Sequence, residues 1–179
     1  MIKVILSEVL TPFYLHNNLS RDSHISNTNN HAKNNLLLAD ELLKEWYKVN
    51  LRREDLLKVI LPWHLSEGGE IELVPKSGLT VEKAVEKLKK LKKDYKEKSK
   101  VCWGKIEFAK KSQFTPIFLS TKAIDTEDYK GLETKEGLIH LDGLHRMVSW
   151  ELNNLLDSNK TVEAYIAGTK KQILSWINK

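Results

Sequence analysis

The chain has 179 residues, 41% of them hydrophobic and 30% charged, with one cysteine and a net charge of +5. That length fits one domain, or a domain with a sizeable extension, and is enough to bury a core without staples. No run of 18 apolar residues predicts a membrane span, and the opening MIKVILSEVLTPF lacks the apolar region and small-residue cleavage site of a signal peptide. Cys102 alone excludes a disulfide framework and a Cys-rich zinc site, and the apolar fraction excludes a disordered chain. A soluble cytoplasmic protein is the expectation.

In chain order, residues 1–10 alternate weakly and fit a strand. Residues 16–35 are rich in Asn, Ser and His and read as a loop, because these side chains compete for the backbone and favour turns. Its histidines His16, His24 and His31 lack the spacing of zinc ligands and read as surface residues. The i, i+4 apolar spacing predicts a helix over 36–49. Asn50 suits the N-cap of a second helix running to Leu61, ended by Pro62. The turn-rich PWHLSEGGE gathers Trp63, His64, Glu67 and Glu70 around paired glycines. Residues 71–74 read as a strand, and 75–78 as a turn.

Thr80 is a candidate N-cap for a basic helix. Between Thr80 and Lys100 lie nine lysines and four acids, so this segment carries the whole net charge and the remainder balances at 20 against 20. Val81, Ala84, Val85, Leu88, Leu91 and Tyr95 form its apolar stripe. The lysine face is either solvated or a contact for nucleic acid or polyphosphate. Only Tyr95 interrupts the lysines, so a stacking platform for single strands is missing. A helix over 101–111, strands over 116–120 and 138–141, a helix over 144–156, a strand over 161–167 and a short tail helix complete the reading. The second half thus runs β–α–α–β–β–α–β, a small α+β or α/β arrangement.

The strongest motif is GLIHLDGLHRMVSWEL, residues 137–152. A strand runs into Asp142-Gly143, and a helix opens at once with His145 and Arg146 in its first turn. The unpaired N–H groups and dipole of that helix favour an anion. With His145 and Arg146 beside them they make a phosphate site, which Gly143 leaves open to close approach. A carboxylate there, Asp142, suits a metal or a proton. The alternative is a tight turn, with Asp142 as N-cap and Arg146 a surface partner. His140, two residues upstream on the same strand face, points into the site or is a core histidine. His64 and Glu67, three apart, border a pocket or sit in a solvated turn.

The pattern PIFLS, a loop, LIHLDGLHRMVSWEL and then VEAYIAG resembles the ParB/sulfiredoxin-like superfamily, with IELVPKSGLTVEKAVEKLKKL similar to its first strand and helix. The resemblance covers about residues 70–168. Leu144 stands where sulfiredoxin has its nucleophilic cysteine, so that chemistry is not implied, and Cys102 is read as a core residue. Lys83 falls on sulfiredoxin's helix lysine, whereas Glu86 and Lys90 replace its Ser and Thr phosphate contacts. The roughly 30 residues after the motif are too few for ParB's DNA-binding domain. The D-G-x-H-R sequence is closest to the free-serine kinase branch, although Pro75-Lys76-Ser77-Gly78 lacks that branch's catalytic Glu. Residues 1–69 have no counterpart in the superfamily. Their LPWHLSEGGEIELVP and NTNNHA stretches resemble bacterial proteins encoded beside natural-product biosynthesis genes.

The resemblance implies an α+β, ParB/sulfiredoxin-like core over 70–179, and the helices expected before it make residues 1–69 an N-terminal helical extension. It implies an ATP-dependent (or ADP-dependent) small-molecule phosphotransferase. Asp142 would serve as catalytic group and Mg²⁺ ligand, and Glu67 or Glu70 as base. Gly143, Leu144, His145, Arg146 and Lys83 would hold the nucleotide, and His64 and His140 the substrate. The alternatives are a nucleotide-sensing regulator or nucleic-acid-binding protein, and a non-catalytic accessory protein.

Overall fold

The computed structural model describes residues 1–19, 28–66, 68, 70–157 and 159–177. In chain order the elements are β1 (Ile2–Val4), α1 (Leu6–Leu19), α2 (Thr28–Leu43), β2 (Trp46–Leu51), α3 (Arg53–Leu57), β3 (Ile60–Leu61), β4 (His64–Leu65), β5 (Glu72–Val74) and β6 (Leu79–Thr80). These are followed by α4 (Val81–Lys98), α5 (Lys100–Lys111), β7 (Ile117–Lys122), α6 (Glu127–Lys130), β8 (Glu136–Asp142), α7 (Leu144–Leu152), β9 (Val162–Ala167) and α8 (Lys170–Trp176). The fold is α+β. Among the described residues a seven-stranded sheet runs β1-β2-β9-β7-β8-β3-β6, and β4 pairs with β5 in a separate ribbon. The β7–β9 and β3–β8 pairs are parallel and the others antiparallel. No helix among the described residues is long and apolar enough to cross a membrane.

Strand periodicity divides the sheet's side chains between two cores. Tyr47, Val49, Leu51, Ile117, Leu119, Leu138, Val162, Ala164 and Ile166 face a core completed by α4, α5 and α7. Trp46, Phe118, Ile139, Leu141, Tyr165 and Ala167 face the other way, against Val9 and Phe13 of α1 and Ala32, Leu36 and Ala39 of α2. The sheet is therefore the middle layer of three. On α4, Thr80 accepts the Lys83 N–H at 3.3 Å as the N-cap. Its stripe of Val81, Ala84, Val85, Leu88 and Tyr95 is buried, and most of its lysines are exposed.

The first 69 residues correct the expectation of a helical extension. They supply β1, β2 and β3 to the common sheet, and β2 pairs with β9 over six residues from Trp46↔Ala167 to Leu51↔Val162. The helix expected over 36–49 is instead α2, which starts at Thr28 and stops at Leu43. Lys44 terminates it with φ 64°, and its N–H donates to the Asp40 carbonyl at 2.9 Å. Glycine or asparagine ordinarily marks such a left-handed stop, so a lysine there gives no signal. The helix expected after Asn50 shrinks to α3, because Asn50 and Leu51 belong to β2 and Ile60 pairs with Ile139. Residues 6–10, expected as strand, begin α1.

Phe13 joins the layers, its ring 5.7 Å from that of Phe118, which stacks at 5.6 Å on Tyr165. Phe13→Ala should destabilise the whole chain by about 3 kcal/mol or more, the usual cost of an emptied aromatic core position. Urea unfolding followed by both tryptophan fluorescence and circular dichroism should show one shifted transition. Two separate transitions would show that residues 1–69 form an independent unit.

Candidate functional site

The corner between β8 and α7 is built from the D-G-x-H-R motif. Gly143 takes φ +116°, a left-handed conformation, and a Cβ there would lie 2.8 Å from Ile117 Cγ2, so both the turn and the packing call for glycine. Arg146, buried one turn into α7, folds back beneath the corner. Its Nη2 donates to Asp142 Oδ2 at 2.6 Å, and its Nη1 donates to Thr115 Oγ1 at 3.0 Å and to the Pro116 carbonyl. Burial lowers the Arg146 pKa and the Asp142 carboxylate opposes that shift. The guanidinium therefore ties the end of β8 to the entrance of β7.

His140 lies on the same strand face as Asp142, and its Nε2 accepts the Leu144 N–H at 3.0 Å. A first-turn N–H of α7 is thus satisfied by an imidazole, which fixes the neutral tautomer with its proton on Nδ1. That Nδ1 is buried without a hydrogen-bond partner among the described residues. Burial pushes the His140 pKa down to about 4, with Asp142 opposing and Arg146 and His64 reinforcing the shift. On the strand's backbone side, the Tyr129 hydroxyl donates to the His140 carbonyl at 2.8 Å.

A cleft of about 140 Å³ opens over this corner. Its lining includes His31, His64, Asp128, His140, Asp142 and His145. Burial raises the Asp128 pKa, with His31 opposing. The His64 and His145 rings meet edge to face at 5.0 Å, and His64 Nε2 lies 3.6 Å from Cys102 Sγ on α5.

The structure brings together His64, His140, Asp142, Gly143, Leu144 and His145 around the cleft, with Arg146 beneath it. Lys83 is exposed on α4 and does not line the cleft. Glu70 is also exposed and sits 3.7 Å from Lys98, away from the lining. Glu67 lies outside the described residues, as does His24. His31, expected on a loop surface, reaches the cleft from α2, and Asp128 reaches it from α6. The sequence reading missed Asp128 and the proximity of Cys102 to the histidines. Cys102 is 38 residues from His64 and on another element, so no local spacing announces it.

These residues do not fit an ATP–Mg²⁺ group as the motif led us to expect. The Arg146 fork is directed into the protein, and the Leu144 N–H is already taken by His140. One Asp142 oxygen is held by Arg146, whereas Mg²⁺ is usually bound through carboxylates together with substrate phosphates. The cleft is also small beside the roughly 300–1,000 Å³ of sites that enclose a drug-sized ligand.

Fold and site together define an α+β protein with a polar cleft at the carboxyl end of a sheet strand. The chain belongs to the family described as "Family of unknown function (DUF6309)", whose model matches residues 1–175. No curated protein and no solved structure matches it.

Two outcomes follow from the buried groups. Arg146→Ala should destabilise the fold by about 3 kcal/mol, since it leaves a partly buried carboxylate and a backbone carbonyl without their donor; denaturant melts measure this, and a change under about 0.5 kcal/mol would contradict the anchoring role. His140 binds fewer protons when folded than unfolded, so its contribution is complete above pH 6.5 and fades as pH falls toward its folded value of about 4. The loss across that window should reach up to about 3 kcal/mol. His140→Gln should flatten this part of the stability–pH curve.

Proposed function

We propose that the protein is an enzyme of small-molecule metabolism, with its active centre in the cleft at the end of β8. The observation that carries this reading is the His140 Nδ1–H, a buried donor without a partner at the cleft wall. Such a donor suits the acceptor oxygen of a bound molecule. Asp142 stands on the same strand face, partly exposed, with one carboxylate oxygen held by Arg146 at 2.6 Å. A carboxylate so placed can take a proton from the ligand that His140 orients. The small volume and the surrounding imidazoles favour a compact polar substrate over a whole nucleotide.

The phosphotransferase reading rests on the D-G-x-H-R resemblance, and the inward-turned Arg146 weighs against it. No lysine of α4 lines the cleft, so the basic face adds nothing to either reading of this site.

The test screens compact polar metabolites by ligand-observed NMR. Hydroxy amino acids with ATP–Mg²⁺ are included, and turnover is followed by mass spectrometry and ADP release. His140→Phe should abolish binding of any hit. Asp142→Asn should lower turnover by roughly 10²-fold or more while leaving binding within a few-fold, when assayed well below its melting temperature. Full turnover in folded Asp142→Asn protein removes the acid–base role. ADP release that depends on a hydroxyl acceptor restores phosphoryl transfer.

A further inference from the structure

His64, Cys102 and His145 come from β4, α5 and α7, and their ligand atoms all lie within 4.8 Å of one another. Cys102 is fully buried and the two histidines are half-buried at the cleft wall. A tetrahedral zinc site places sulfur about 2.3 Å and nitrogen about 2.0–2.1 Å from the ion, so the sulfur–nitrogen edge measures about 3.6 Å. The Cys102 Sγ to His64 Nε2 distance is 3.6 Å. The edge-to-face arrangement of the two rings, with centroids 5.0 Å apart, keeps both imidazoles beside the same space.

The surroundings hold these groups in place. Ser66, two residues after His64, shares a buried 2.8 Å hydrogen bond with Ser99, three residues before Cys102. That bond clamps the β4 segment to the start of α5. The Tyr95 hydroxyl is buried beside Cys102. A thiolate at Cys102 would accept from that hydroxyl, and groups next to metal ligands commonly act as such outer-shell partners.

We propose that His64, Cys102 and His145 form a three-ligand site for a borderline transition-metal ion of the zinc class, with its fourth position open to the cleft. One thiolate and two imidazoles suit such an ion and not the oxygen-preferring Mg²⁺. Three protein ligands with one open position is the arrangement of catalytic rather than structural zinc. Binding forms one metal–sulfur and two metal–nitrogen bonds, and the Cys102 thiol releases its proton to solvent. His64 and His145 line the same cleft as His140 and Asp142, so a ligand in the cleft would meet both the metal-binding imidazoles and the acid–base group. The metal site itself does not depend on that acid–base reading.

The test uses the full chain, stripped with chelator and titrated with Co²⁺ under nitrogen. The expected result is one ion per chain, with thiolate-to-cobalt charge-transfer absorption and the intense visible bands of a tetrahedral site, both erased by excess Zn²⁺. Calorimetry of Zn²⁺ binding in two buffers should show about one proton released per ion. Cys102→Ala should lose the charge-transfer absorption and more than the roughly 10- to 100-fold in affinity that an outer-shell partner carries. His64→Gln should weaken binding while keeping the sulfur signature. A thiol that only hydrogen-bonds to an imidazole would give no charge-transfer band in wild-type protein, and that result overturns the proposal whatever the variants do. The same band surviving in Cys102→Ala would overturn it as well. Because these signals need no turnover, a failed screen for substrates leaves this result standing, and the reverse also holds.

Discussion

The Asp142–Arg146 pair fixes the corner on which the rest of the site depends. Arg146 reaches back one turn to a carboxylate at the end of β8 and across to Thr115 and Pro116 at the entrance of β7. An ion pair in the interior is weak evidence for net stability, but removing one partner leaves an uncompensated charge. That asymmetry pins the angle between strand and helix. With the angle set, Gly143 has to turn in the left-handed region against Ile117. Leu144 then presents its N–H to His140, and His145 is directed toward His64. Each letter of the motif has a mechanical duty before it has a chemical one.

The two-sided sheet carries that corner. β8 has helices packed against both of its faces, with α2 on one side and α7 following it to the other. This explains why His140 is shielded enough to stay neutral at physiological pH although it stands at the cleft. It also explains why residues 1–69 cannot be peeled away as an appendage. Without α1 and α2, the apolar face formed by Trp46, Phe118, Ile139, Leu141 and Tyr165 would be open to water. An apolar surface of that kind marks an interaction site or an aggregation liability in a soluble protein.

The second half of the chain was legible in the sequence because its breaks coincide with strong signals. Thr80 caps α4, Pro116 precedes β7, Asp-Gly separates β8 from α7, and each expected element appears within a few residues. The first half was not. The asparagines around residues 29–35 disguised α2, although Ala32, Leu36 and Ala39 already carried its buried stripe. A left-handed lysine then hid its end. The segment from Trp46 to Leu51 fits a helical spacing as well as a strand, and only pairing with β9 decides between them. At the site, the sequence brought Asp142, His145 and Arg146 to one corner. It could not say that the arginine turns inward, since an i, i+4 pair and a phosphate clamp use the same residues.

The cleft combines two kinds of donor that ordinarily serve different chemistry. The lining carries two carboxylates, Asp142, which is paired with Arg146, and Asp128, whose pKa burial raises. It also carries the imidazoles of His64 and His145, whose ligand atoms lie within 4.8 Å of each other and of the buried Cys102 sulfur. The neutral His140 stands near both, with Asp142 and His64 each close enough to influence its charge. A neutral imidazole is the form that donates a hydrogen bond without repelling a nearby cation. Protonating it would place positive charge beside both Arg146 and the His64 cluster. A neutral His140 therefore preserves the cap on α7 and the donor toward the cleft, and adds no positive charge beside His64. Had Arg146 projected into the cleft as a phosphate clamp, its charge would oppose any cation held by the nitrogen–sulfur cluster, so the inward turn of the guanidinium is consistent with the proposed metal site.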